Sequence, residues 1–181
     1  YDLGGLVSNV ATVTLTILDS STVVPSAGLV LRLEADQGVS TAAGAVTGWS
    51  DLSGMGNDLN QVAGDPALLP SSLNGHAVVD FDGGGDELRR TLNLNGLRSG
   101  SADRTMLLVV NYRGNGYGGF AYGQSSCLQT FGLGVNPSGK LMAQTWCSDM
   151  ISTVTGTGAG WMVQAVVVSG GAVTHYKDGA V

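Results

Sequence analysis

Apolar residues in this chain recur at every second position, in short runs broken by glycine, asparagine and aspartate. In the stretch 9–18, Ala11, Val13, Leu15 and Ile17 alternate with Thr12, Thr14 and Thr16. The stretch 29–35 repeats the pattern, with Leu29, Leu31, Leu33 and Ala35 opposite Val30, Arg32 and Glu34. Successive side chains of a strand point to opposite faces, so these runs predict half-buried strands. Further strands are predicted at 46–49, 77–82, 88–92, 105–112, 120–123, 127–135, 140–147, 150–155, 161–168 and 172–177, with no helix beyond a turn. Val79 and Phe81 are expected to point inward. The runs at 105–112 and 161–168 are apolar on both faces, as central strands covered on each side would be. Trp49 and Trp161 are expected in the core. Two packed antiparallel sheets bury such faces, so the expected fold is an all-β, antiparallel two-sheet β-sandwich.

Composition agrees and removes several functions. Of 181 residues, 29 are glycine, and only 12% are charged, about half the usual share. Ser, Thr, Asn and backbone must therefore wet the surface. The net charge of −6 leaves no basic stripe to release phosphate counterions, which argues against nucleic acid and anionic membranes. The longest apolar runs, 106–110 and 161–168, are strand-sized and far short of the roughly 20 residues of a membrane helix.

After the run at 29–36 come Gly48-Trp-Ser-Asp51-Leu-Ser-Gly-Met-Gly-Asn57-Asp58 and then Val78-Val-Asp-Phe81-Asp82-Gly-Gly-Gly-Asp86-Glu-Leu88. This order of strands and Gly-rich connections resembles the opening of the laminin-G-like jelly rolls of the concanavalin A-like lectin/glucanase superfamily. The resemblance covers residues 28–181 and implies a jelly-roll sandwich. Upstream, the phrase Ser8-Asn-Val-Ala-Thr-Val-Thr-Leu-Thr16 resembles the last strand of a bacterial immunoglobulin-like or cadherin-like repeat. The expected organisation is a terminal or exchanged strand at 1–18, a linker at 19–27 broken by Pro25, and the jelly roll at 28–181. Tyr176-Lys-Asp-Gly179 reads as a strand entering an Asp-Gly hairpin turn. In the laminin-G-like family at least two more strands follow that turn, so the domain is expected to be incomplete at its C-terminus.

Enzymes of that superfamily carry a Glu-x-Asp-x-x-Glu strand, and retaining hydrolysis needs two carboxylates about 5 Å apart. Here Glu34-Ala-Asp36-Gln-Gly-Val39 lacks the second glutamate. His76 and His175 have no Asp or Ser partner at local spacing. The expectation is a protein that is not an enzyme. Calcium is the metal to expect, because the resemblance implies an ion at the rim and hard oxygens from loops suit it. Its candidate ligands are Asp51, Asn57, Asp58, Asp82 and Asp86. The competing reading has these side chains capping backbone amides in Gly-rich turns.

Sugar binding needs an exposed aromatic beside planar polar groups. The candidates are Tyr112, Arg113, Asn115, Tyr117 and Tyr122 in and after the Gly-rich loop, with Trp146 on the following hairpin. The competing reading packs these aromatics between sheets. Cys127 and Cys147 flank an Asn136-Pro-Ser-Gly139 turn. Folding about Pro137 sets Phe131 opposite Ala143, Leu133 opposite Leu141 and Cys127 opposite Cys147, close enough for a disulfide. A four-residue turn leaves the register open by one unless Gly139 makes a bulge, and the alternative is two buried thiols. A bridge would place the chain in an oxidising compartment, extracellular or at the cell surface.

The function expected is a non-catalytic adhesion or carbohydrate-recognition module of a large secreted or surface protein, meeting a glycan or a surface protein. The alternative is a structural subunit of an extracellular filament or particle shell. It would self-associate by strand exchange through residues 9–18 or the C-terminal edge at 172–177.

Overall fold

The computed structural model describes residues 26–181, so the strand expected at 9–18 and nearly all of the 19–27 linker lie outside the described residues. Every element in the described part is a β-strand, and every pairing is antiparallel. The chain divides into two compact units, whose described parts are residues 26–98 and 99–181.

The first unit contains β1 (Val39–Ala42), β2 (Ala45–Trp49), β3 (Leu59–Ala63), β4 (Ala67–Leu73), β5 (His76–Asp80) and β6 (Glu87–Arg89). They form one sheet in the order β5-β4-β2-β3-β6, with β1 also on β2. Ala43-Gly44 joins β1 to β2, and Asn74-Gly75 joins β4 to β5. All four residues have positive φ, the geometry whose twist matches a two-residue hairpin. Pro70 cannot donate to a ladder. Accordingly the register of β4 on β5 shifts between Leu69 and Leu73, with Ser71 at φ 53°.

Strands β1, β3 and β4 escaped the sequence reading because their residues are mostly exposed or polar and lack clean alternation. The expected strand at 29–35 is half-buried but joins no ladder. Its backbone bonds instead to the following loop: Arg32 N–H donates to Asp51 Oδ1, and Leu52 N–H donates to Arg32 O. The half-burial that alternation predicts for 29–35 is present, but the segment bonds to a loop in place of a strand ladder. Phe81, expected inward, lies just past β5 and is exposed.

The second unit contains β7 (Arg104–Val110), β8 (Gly119–Gly123), β9 (Thr130–Val135), β10 (Lys140–Gln144), β11 (Met150–Thr155), β12 (Met162–Ser169) and β13 (Ala172–Lys177). They form two sheets, β11-β10-β9-β8 and β13-β12-β7. Phe131, Leu133 and Ala143 of the first sheet pack with Val166 and Val168 of the second, flanked by Met106, Leu108, Tyr122 and Met150. A second cluster joins Tyr112, Val135, Leu141 and Met162. This unit is a β-sandwich, and each large side chain so buried contributes about 1.5–3 kcal/mol.

Three expectations about these sheets are corrected. The strand β7 lies at a sheet edge among the described residues, and its outward Leu107 and Val109 are exposed. Trp161, expected in the core, is 41% exposed just before β12. The hairpin register also differs: Leu133 pairs Ala143 and Val135 pairs Leu141, a slip of two from the folding about Pro137. A two-residue slip keeps every side chain on its face. The turn closes as Asn136 Oδ1 accepts N–H bonds from Ser138 and Lys140, with Gly139 at φ 71°. Cys127 and Cys147 form the disulfide, with Cα atoms 4.9 Å apart. They lie beyond the ends of β9 and β10, where Leu128 and Trp146 take positive φ.

Candidate functional site

The predicted aromatic set does not converge. Tyr112 is buried, 7% exposed, and its hydroxyl donates to Gln164 Oε1 at 2.7 Å. Desolvation pushes its phenol well above the usual tyrosine range. Tyr122 lies half-buried on the inner side of β8, its ring 5.8 Å from that of Phe131. Burial raises its phenol, and the nearby Arg104 cation opposes that shift. Arg104 in turn lies over the Phe131 ring at 4.0 Å. The phenol groups of Tyr112 and Tyr122 thus serve the interior.

The other candidates lie at two ends of β10. Arg113, Asn115 and Tyr117 are exposed, Tyr117 at 67%. Their loop is fastened beside the 136–139 turn, where Thr157 Oγ1 donates to Gly114 O and Gly158 N–H donates to Tyr112 O. Trp146 follows the opposite end of β10 and is 49% exposed. Its φ of 79° is a conformation that costs a bulky L-residue roughly 1–2 kcal/mol. One carboxylate oxygen of Asp149 accepts both the Thr145 and Trp146 N–H groups, at 2.8 and 2.9 Å, and holds that shape. The adjacent Cys127–Cys147 bridge fixes the same segment. Leu128, 67% exposed, has its N–H on Thr145 O beside it.

The acidic candidates are occupied by amides. Asp51 is buried and accepts from Arg32 N, Ser53 N, Ser53 Oγ and Asn57 N. Desolvation pushes its carboxyl up, but these donors together prevail and hold it below the usual aspartate range. Asp58 Oδ1 accepts from Asp51 N. Asn57 is buried; it donates to Val30 O and Asn95 O and accepts from Asn95 N. Asp82 Oδ1 accepts from Gly84 N, while Asp86 accepts from Asp65 N and Asp82 N. Among the described residues no three acidic, histidine or cysteine side chains gather as a metal set.

Three groupings were not found from sequence. Asp36 Oδ2 lies 2.6 Å from His76 Nδ1, and its other oxygen accepts Ala77 N–H. The Ala77 amide first, then His76, hold that carboxyl below its usual range. Forty residues separate the pair, so local spacing could not reveal it. The second grouping is Asp149 with Thr145 and Trp146. The third is Tyr112, Gln164 and His175 inside the sandwich of the second unit. Gln164 has no exposed surface, and its Nε2 lies 3.0 Å from His175 Nε2. A glutamine at an inward position of the run Met162-Val-Gln-Ala-Val-Val-Val168 was the signal available.

No protein-family model, curated protein or solved structure matches this chain.

Proposed function

We propose that this chain is a non-catalytic adhesion or carbohydrate-recognition module of a secreted or surface-displayed protein. The jelly-roll resemblance of residues 28–181 supports this reading, and so does the disulfide, since such bonds persist in oxidising compartments. The observation that carries it is Trp146: a large aromatic held half out of the surface, on strained backbone, by a disulfide and a double carboxylate cap. An aromatic face presented this way suits the apolar side of a sugar ring or a flat patch on a protein. Glycine tolerates the φ of residue 146 without strain. Trp146→Gly should therefore keep stability within about 1 kcal/mol of the parent while lowering binding on a glycan array at least tenfold. Arrays run with calcium and with EDTA test the ion at the same time. No binding by the parent chain in either condition removes the lectin reading.

A second reading is the strand-exchanging structural subunit, and one observation favours it. Among the described residues β11 and β13 are both sheet edges, and β13 ends in an Asp178-Gly179 turn with positive φ at both residues. Apart from the Lys177–Ala180 bridge, the outer edge of β13 has no described partner. Beside it runs a groove of about 300 Å³ lined by Leu141, Val154, His175 and Tyr176 among others. An open edge beside a partly apolar groove suits an added strand. Light scattering decides this reading: a monomer across a hundredfold concentration range rejects it.

A further inference from the structure

The buried amide of Gln164 fixes the protonation of its neighbours. Its Nε2 lies 3.2 Å from Gly134 O and 3.3 Å from Met142 O, two carbonyls that can only accept. The NH₂ group must therefore face them, and Oε1 must face the Tyr112 hydroxyl, which donates to it at 2.7 Å. The same NH₂, its two hydrogens shared among three acceptors, lies 3.0 Å from His175 Nε2; an amide nitrogen cannot accept, so that ring nitrogen carries the lone pair and the ring proton sits on Nδ1. Nδ1 is sealed from solvent and has no hydrogen-bond partner among the described residues. Adding a second proton would set an Nε2–H donor against the amide donor. The amide cannot turn to accept it without pointing Oε1 at two carbonyl oxygens.

We propose that His175 is a proton-sensitive lock: its neutral ring fastens the edge strand β13 to Gln164 in the core, and its protonation in mildly acidic solution releases β13. The groups around the ring favour the neutral state. From β12 it meets Gln164, and through that amide the neutral phenol of Tyr112. From β10 and β11 the shared groove receives Leu141, Ser152 and Val154, none of which ionises. Lys140 of β10 turns to Thr153 O and Thr155 Oγ1. On β13 itself Lys177 lies two residues on, and its cation is paired with Asp178. Asp178 is the acid lining the groove, and it is engaged by Lys177 Nζ at 2.8 Å and by Val163 N–H. Desolvation also holds the His175 imidazolium disfavoured, below the ordinary histidine range.

The folded pKa lies below the unfolded one, so this contribution to stability is complete above the ordinary histidine value. It declines as pH falls from there through the depressed folded value. At pH 5 the opening equilibrium of β13 rises by up to about thirtyfold over its pH 8 value, the full weight of protonating an unperturbed histidine. The test is nitrogen-detected NMR of the intact chain labelled at histidine, with His76→Gln to assign the two rings. Amide exchange of residues 172–177 at pH 8 and pH 5, corrected for intrinsic rates, runs beside it. The expected result is an Nδ1–H tautomer titrating below the ordinary value, with β13 exchange rising more than tenfold in acid. In His175→Gln that rise should vanish, because a glutamine carbonyl accepts from Gln164 and does not titrate. An Nε2–H tautomer, an ordinary titration, or an equal acid response in His175→Gln overturns the proposal. Should His175→Gln not fold, the tautomer and titration of the parent ring decide alone.

Discussion

Replacing both cysteines with alanine tests how the second unit holds its hairpin. Cys127 and Cys147 are 20 residues apart and enclose β9, the 136–139 turn and β10. Releasing a loop of that length returns about 3 kcal/mol of chain entropy to the unfolded state. Part of this is offset, because the left-handed residues Leu128 and Trp146 flanking the bridge can relax when it is gone. The net loss expected is about 2–3 kcal/mol, from a domain stability of the usual 5–15 kcal/mol. For a unit of this size that lowers Tm by on the order of 15 °C. Urea unfolding of Cys127→Ala/Cys147→Ala and of the parent, followed by amide exchange in β9 and β10, measures it directly. The residues inside the loop, Phe131, Leu133, Val135, Leu141, Met142 and Ala143, are all buried. If they already closed the loop in the unfolded chain, the bridge would add little. A loss below about 1 kcal/mol would refute the entropic account.

Asp51→Asn should cost about 3 kcal/mol or more, since an amide cannot accept from three N–H groups and a hydroxyl as a carboxylate does. The folded carboxyl lies below its usual range, so its stabilisation is present above the ordinary aspartate value and fades as pH falls through the depressed one. Acid unfolding of the variant should lose that component. A Cβ on Gly132 would lie 2.6 Å from both Ala121 Cβ and Phe120 O, so Gly132→Val should destabilise the β8–β9 pair by about 1–3 kcal/mol in urea melts. The acidic oxygens at 51, 58, 82 and 86 already accept amide hydrogens, so exchanging calcium for EDTA should leave Tm unchanged. A rise of several degrees with calcium would show that those caps open to an ion.

The second unit was the more legible from sequence because its strands are strongly apolar runs and its turns carry standard residues. The strands at 150–155 and 172–177 begin and end where the sequence reading expects them, and Asp178-Gly179 turns as its composition requires. The first unit was less legible. Its strands are short and exposed, and its order depends on side chains such as Asp51 and Asn57 bonding to distant backbone. From sequence those residues read as polar loop groups with capping and calcium as the two roles, and the structure shows them capping backbone. Tyr112 and Tyr117 are five residues apart and read alike as aromatic candidates beside the Gly-rich loop, yet one is interior and the other exposed. The difference arises from a partner 52 residues away, Gln164, which local pattern cannot supply.

That glutamine also constrains how the sandwich can assemble. Sliding β12 by one residue would carry the amide to the outer face and leave Gly134 O, Met142 O and the Tyr112 hydroxyl without it. Oily side chains alone would accept such a misalignment with modest loss. A hydrophilic group placed amid them makes such an alignment expensive, so the molecule carries its own proofreading for which strand meets which.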